Sequence, residues 1–336
     1  MATITRAPIS GPTGVPVVAP RRARRLRPIV GYSVVALILI AGLFSAPLYA
    51  RYLRDLQAAR DLQRADGGRV VQTKVGPIEY ATYGEGPPVL LSHELLGGFN
   101  HGLLIARTQL GEGFHTIAVS RFGYLGTPLP ADGSPAAQAD AYAALLDTLG
   151  LQRVATAGTS SGGASAIQFA LRHPDRTSAL VLLSATGPGD TSPPPRPLMN
   201  VLFGSDFAFW AWQTSLGSSL LSAMGVPSDS QAQPNDPFLG ELMRRFLPIS
   251  NRTAGALNDM YLTNPQFKEF PFERIAVPTL VITAVDDTLE PFDYARARAE
   301  RIPGVRFIAL ESGAHLLLGQ HERVKAELAD FLGSAS

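Results

Sequence analysis

The stretch Gly158-Thr159-Ser160-Ser161-Gly162 constrains this chain more than any other. It follows a short apolar run at 154–157 and opens a helix-compatible segment, 164–172, that stops before Pro174. A serine flanked by glycines between a strand and a helix sits on a sharp turn with its hydroxyl exposed. Gly158 and Gly162 relieve crowding around such a turn, and Gly163 lets the helix lie close to the sheet. The rest of the chain keeps the same rhythm. Strands are expected at 69–75, 78–82, 89–92, 116–120, 154–157, 179–184, 279–284 and 306–309. Helices are expected at 101–110, 134–149, 164–172, 294–301 and 322–331. Short apolar strands alternating with amphipathic helices specify an α/β fold with a mostly parallel sheet covered by helices.

The rhythm breaks at 187–273. Pro193-Pro194-Pro195 opens a stretch rich in Phe203, Phe207, Phe209, Trp210 and Trp212, and 236–246 and 254–261 read as helices. This is the pattern of a helical insertion folding over the sheet. The 336 residues suffice for one large domain with such an insertion. With 46% hydrophobic and 17% charged residues, the chain can bury a core and is not globally disordered.

The net charge of +1 conceals an asymmetry. Residues 1–28 hold six arginines and no acid, leaving 23 basic against 28 acidic residues in the remainder. A mildly acidic body gives no footprint for nucleic acid. The absence of cysteine excludes disulfides and thiolate chemistry. Residues 29–50 carry no charge, and 22 helical residues can cross a bilayer's hydrocarbon. The expectation is a basic, disordered tail at 1–28, a transmembrane anchor or signal segment at 29–50 and a stalk at 51–68. The arginine cluster places the catalytic body outside the cytoplasm, as a single-pass membrane protein. One rival is secretion or periplasmic release after signal cleavage, which the large residue in Leu48-Tyr49-Ala50 disfavours, and another is a buried or cap-associated helix in a soluble protein.

Serine chemistry needs a base and an orienting acid. His315 lies in a loop after the 306–309 strand, and Asp287 follows the 279–284 strand, at the strand ends where α/β sheets place ligands. Asp286 competes for the acid role. The Ser161 N–H, at the helix start, is expected to donate to an oxyanion. Among the other histidines, His101 borders the expected pocket, while His115, His173 and His321 read as structural. No spacing suggests a metal site.

Taken together these blocks resemble the α/β-hydrolase superfamily, in its serine-nucleophile branch with a helical cap. The resemblance spans about 69–331. It rests on Pro87-Pro88-Val89-Leu90-Leu91-Ser92-His93, on Ser120-Arg121-Phe122-Gly123-Tyr124, on Pro278-Thr279-Leu280-Val281-Ile282 followed by Asp287 and Pro291, and on Gly313-Ala314-His315. It implies core segments at 69–186 and 274–336 around a cap at 187–273. It also implies that the Leu95 N–H completes the oxyanion hole and that His93 braces that loop. Glu94 departs from the family pattern, which has glycine there. A carboxylate beside a developing oxyanion is unfavourable unless it is paired or points away. Serine at the nucleophile position argues against the dehalogenase and epoxide hydrolase branches. The cap aromatics suggest an apolar pocket, with Phe209, Trp210 and Tyr261 as candidate lining beside Glu94.

The expected activity is hydrolysis of a carboxylic ester through an acyl-enzyme on Ser160, with His315 as base and Asp287 as its orienter. The partners expected are a small acyl substrate and, through 29–50, a membrane; no metal or organic cofactor is needed. Two alternatives stand beside this. One is carbon–carbon bond hydrolysis of a diketone-like compound by the same triad. The other is an inactive, membrane-attached binding protein, which Glu94 favours and the complete triad opposes.

Overall fold

A computed structural model of the protein describes Thr3, Gly14 and residues 26–189, 192–227 and 236–334, with side chains from residue 45 onward in the first helix. The chain divides into two units, Met1–Arg51 and Tyr52–Ser336. In the second, eight strands form one sheet in the order β1-β2-β4-β3-β5-β6-β7-β8. They are β1 (Arg69–Thr73), β2 (Gly76–Tyr83), β3 (Pro88–Ser92), β4 (His115–Val119), β5 (Val154–Thr159), β6 (Thr177–Leu183), β7 (Thr279–Ala284) and β8 (Arg306–Leu310). β2 is antiparallel to both β1 and β4, and every other pairing is parallel. β5 to β7 are buried along almost their whole length, which explains why they read as continuous apolar runs rather than alternating ones.

The helices are α1 (Leu26–Ala65), α2 (Phe99–Ile105), α3 (Pro135–Leu149) and α4 (Gly162–Arg172). Six more follow between β6 and β7: α5 (Arg196–Gly204), α6 (Asp206–Ser215), α7 (Gly217–Ala223), α8 (Pro237–Arg244), α9 (Thr253–Asn258) and the single turn α10 (Asn264–Gln266). These make the helical cap insertion. α11 (Phe292–Ala299) and α12 (His321–Ser334) complete the α-helices among the described residues. Local signals set their ends. Ser134 caps α3 by accepting the Ala137 N–H at 3.2 Å, with Pro135 in the first turn, and Gly150 closes it in a left-handed conformation.

β3 has β4 on one side and β5 on the other, so the chain leaves it in opposite directions. Such a reversal opens a crevice at the carboxyl ends of the strands. The six non-glycine residues with positive φ among the described residues all follow a strand on that edge: Leu96 after β3, Leu125 after β4, Ser160 after β5, Ser184 after β6, Ala314 and Leu317 after β8. Strained backbone is thus concentrated on one rim of the sheet.

One set of expectations is corrected here. Among the described residues no helix is long and apolar enough to cross a membrane. Past residue 50 the helix α1 runs on through Arg51, Arg54, Asp55, Arg60, Asp61 and Arg64, in the segment expected as a stalk. The transmembrane anchor is therefore withdrawn, and with it the membrane partner and the single-pass location. The side chains of 29–44 and most of the 1–28 tail lie outside the described residues. From Tyr52 the segment expected as a stalk packs on the body. Tyr52, Leu56 and Ala59 are buried in the main core. The Tyr52 ring meets Phe207 and Trp210 edge-on at 5.3 and 5.6 Å. Trp210 Nε1 donates to Asp55 Oδ2 at 2.8 Å. Asp66 pairs with Arg107 at 3.2 Å and with the buried Arg245 at 3.3 Å.

Candidate active site

Ser160 occupies the junction between β5 and α4 with φ of 48°, a left-handed conformation that a serine adopts only when its surroundings enforce it. Its N–H donates to the Leu183 carbonyl at 3.1 Å. The helix behind it must start almost in contact with the sheet. A Cβ on Gly162 would lie 2.2 Å from the Ser92 carbonyl oxygen, and one on Gly163 would lie 2.0 Å from that of Ala185. Ser161 is the residue before α4, and its side chain makes no capping bond. Backbone N–H groups in a helix's first turn have no intrahelical partner, so this end favours negative charge.

His315 Nε2 lies 2.7 Å from Ser160 Oγ, and His315 Nδ1 lies 2.7 Å from Asp287 Oδ2. All three residues stand just past strand ends, from β5, β8 and β7. The two neighbouring acids have separate tasks. Asp287 meets the imidazole, and its Oδ1 accepts the Leu289 and Glu290 N–H groups at 2.9 Å each. Asp286 instead accepts the Ala314 N–H at 2.8 Å and so holds the backbone of the histidine loop. The cap also reaches the base, since the His315 N–H donates to the Gly225 carbonyl at 3.3 Å. Burial would push the His315 pKa down, but the charge and hydrogen bond of Asp287, helped by Glu290 and Glu94, outweigh it and hold the value above normal.

Glu290 is a buried carboxyl that sequence reading did not single out. Its Oε1 accepts from the Thr186 N–H and hydroxyl, both at 2.5 Å, and from the Gly187 N–H at 2.9 Å. Burial lifts its pKa from 4.5 to about 7, with the nearby Asp287 charge adding to the rise. A folded-state pKa above the unfolded one means that the native protein binds more protons between those values. Stability then falls as pH rises from 4.5 to about 7. The expected loss from this group is about 3 kcal/mol. Urea unfolding across that range should show this slope in the native protein and a flatter one in Glu290→Gln. Parallel slopes would mean that Glu290 titrates normally.

The loop after β3 is braced from behind. His93 Nδ1 donates to the Glu94 carbonyl at 2.7 Å, and His93 Nε2 accepts the Arg121 N–H at 3.1 Å, which fixes a neutral tautomer. Burial, with the charge of Arg121, pushes the His93 pKa well down. The Glu94 carbonyl also accepts from the Arg121 guanidinium at 3.3 Å and from the Gly97 N–H at 3.2 Å. A trans peptide points its N–H opposite its carbonyl, so the Leu95 N–H faces away from this brace. Arg121 is itself locked by Asp259, at 2.7 and 2.5 Å, and Tyr124 donates to the same carboxylate.

Glu94 is paired. Its Oε1 lies 2.6 Å from Nδ1 of the fully buried His101. Burial would raise the Glu94 pKa, but His101 and, more weakly, Arg121 overcome that and hold it below the ordinary carboxylate value. Burial pushes His101 down, against the pull of Glu94.

Beside Ser160 and His315 lies a small, partly open cavity. Its polar wall is Glu94, Gln109 and Thr159, and its apolar wall includes Ile105, Leu183, Phe238, Leu242 and Leu317. Of the pocket residues expected from sequence, only Glu94 lies here. Phe209 is buried in the cap's own packing against Phe246 at 5.7 Å, and Trp210 is buried between the cap and α1, against Tyr52 and Asp55. Tyr261 donates its hydroxyl to the Pro194 carbonyl at 2.6 Å and lies under Arg196. These rings were named for their size, which does not tell an inward face from a packing face. His321, expected to be structural, meets Gln109 at 3.1 Å and Asp236 at 3.4 Å.

A family model described as alpha/beta hydrolase fold matches residues 87–322. The chain is 29% identical over 243 residues to the Klebsiella pneumoniae protein named "Putative carbamate hydrolase RutD", covering 68% of this chain and 85% of that one. It is 26% identical over 227 residues to the 2-hydroxy-6-oxononadienedioate/2-hydroxy-6-oxononatrienedioate hydrolase of Paraburkholderia xenovorans, covering 66% and 76%. Among solved structures it is similar to an alpha/beta hydrolase fold protein from Nakamurella multipartita. The identity is 30% and the TM-score 0.64, over 80% of this chain and all of that one.

Proposed function

The chain belongs to the alpha/beta hydrolase fold family and is a hydrolytic enzyme, and we propose that it acts by acyl transfer from a carbonyl substrate to Ser160 and then to water. The observation that carries this reading is the chain of contacts from Ser160 Oγ through His315 to Asp287, each step 2.7 Å. Ser160 Oγ attacks the carbonyl carbon while His315 Nε2 takes the hydroxyl proton. Asp287 keeps the imidazole oriented and stabilises its charged form. The N–H groups of Ser161 and Leu95 receive the oxyanion. His315 returns its proton to the leaving group as the bond from the carbonyl carbon breaks. Water, deprotonated by the same histidine, then releases the acid and restores Ser160.

The leaving group distinguishes the candidate substrates. An alkoxide corresponds to an ester, and this is the simplest operational substrate. An enolate corresponds to a carbon–carbon bond beside a second carbonyl, which the relative named for oxo-dienedioate hydrolysis supports, while the one named for carbamate hydrolysis points to a carbonyl bonded to nitrogen. Neither relative is named for ester hydrolysis. The same triad serves each, because only the group protonated by His315 changes.

The test is covalent labelling of the full chain by an alkyl fluorophosphonate, with mass spectrometry to place the adduct. One adduct per chain on Ser160, formed far more slowly in His315→Ala, is the expected result. Folded protein without an adduct would overturn the acyl-serine reading. Turnover of aryl esters against vinylogous diketones then ranks the two bond types.

A further inference from the structure

Within the described cavity wall, Glu94 is the ionised side chain that the proposed acyl transfer does not use. One of its oxygens is spoken for by His101. The other, Oε2, accepts from the Thr159 hydroxyl at 3.3 Å, long for an O–H to oxygen bond, and the Glu94 N–H also lies close to the carboxylate. A carboxylate oxygen takes two donors, so Oε2 retains capacity to accept. Burial favours the neutral form of His101, which donates to Glu94 through Nδ1. The pair therefore keeps the negative charge of Glu94.

Among the described residues the cavity wall carries no lysine or arginine, and His315, the base, is its one group that can become a cation. Arg121 lies behind the loop and is bound to Asp259. Arg252, also behind it, donates to the carbonyls of Phe246, Gly97 and Arg245. The remaining wall is largely Ile105, Leu183, Phe238, Leu242 and Leu317. An under-satisfied carboxylate in an apolar cavity is costly, and a donor supplied by the substrate offsets that cost. An anion placed there meets repulsion in a medium that screens poorly.

We infer that Glu94 selects the acyl group, accepting a hydrogen bond from a hydroxyl or N–H close to the reacting carbonyl and excluding acyl groups that carry a negative charge. The inference rests on the acyl-serine chemistry proposed above. It assigns to Glu94 a role in specificity and none in the proton transfers.

Three esters of matched length test it: 4-nitrophenyl butanoate, 4-nitrophenyl 3-hydroxybutanoate and the mono-4-nitrophenyl ester of succinic acid. In the native full chain kcat/KM should rank hydroxyl above plain above anionic, with each step about tenfold. In Glu94→Gln, which keeps the size and loses the charge, the anionic ester should gain about tenfold relative to butanoate. The hydroxyl ester should lose a similar factor. Variant rates that change by one common factor for all three esters would overturn the inference, since a structural role moves them together. If Glu94→Gln does not fold, the native ranking decides alone, and an anionic ester turned over as fast as butanoate sinks the idea. Native protein that turns over none of the esters and forms no Ser160 adduct marks failure of the acyl-serine reading itself, which is thereby told apart from failure of the Glu94 inference.

Discussion

Replacing Ser160 with alanine is expected to lower kcat for any ester substrate by about 10⁴- to 10⁶-fold while leaving the melting temperature close to that of the native protein. The size follows from what is lost. Without Oγ no acyl-enzyme forms, and His315 loses the proton donor 2.7 Å from its Nε2. Only the oxyanion donors and the shaped cavity remain to assist attack by water. The stability forecast follows from position, since Ser160 is only partly buried and its hydroxyl makes its hydrogen bond to the base alone. His315→Ala should cost a comparable factor, and the double variant should be little worse than either single one, because the two groups act as one unit. Single-turnover measurements settle the point. Retention of more than a few per cent of native kcat in Ser160→Ala would mean that His315 activates water directly.

The second large effect is expected at Arg252. This side chain is wholly buried, and among the described residues it has no ion-pair partner. It donates instead to backbone carbonyls, to Phe246 at 2.9 Å, Arg245 at 2.6 Å and Gly97. The first two belong to the cap, and Gly97 belongs to the loop after β3, so one guanidinium ties the cap to the loop that carries Glu94 and Leu95. Its burial brings the pKa down to about 10, still charged at neutral pH. Arg252→Met removes the donors and leaves three buried carbonyls short, each worth about 1–3 kcal/mol, while relieving the desolvated charge. The net expectation is a loss of about 3 kcal/mol in urea unfolding. A fall in kcat/KM should accompany it at temperatures where the variant is folded, since the loop loses its anchor. An unchanged unfolding midpoint would show that water replaces the guanidinium at those carbonyls.

The contrast between these two positions explains what the sequence could and could not disclose. Ser160, Asp287 and His315 were legible because each follows an apolar strand, in an order that the chemistry requires. The eight strands and the helical insertion were legible for the same reason, through apolar runs of fixed period. Arg252 and Glu290 were not, because their partners lie far along the chain. Gly97 is 155 residues from Arg252, and Thr186 is 104 from Glu290. The choice between Asp286 and Asp287 turned on side-chain direction, which adjacency hides. Size alone promoted Phe209, Trp210 and Tyr261 to the pocket, whereas Phe209 and Tyr261 hold the cap together, Trp210 seats α1, and the wall falls to Phe238 and Leu242 of α8. The later turns of α1 read as a free stalk, whereas Tyr52, Leu56 and Ala59 pack into the core, because their partners again lie far along the chain.

That packing has a consequence for how the protein is made. Asp55 and Trp210 are joined across 155 residues of sequence. Ribosomes add roughly 5–20 residues per second, so the face formed by Tyr52, Leu56 and Ala59 is made about ten to thirty seconds before its partners in the cap. Throughout that interval an apolar surface is available to other nascent chains. Chaperone demand during synthesis is therefore set by the delay between the helix and its seat, and a circular permutant that places the two close together in sequence would shorten it.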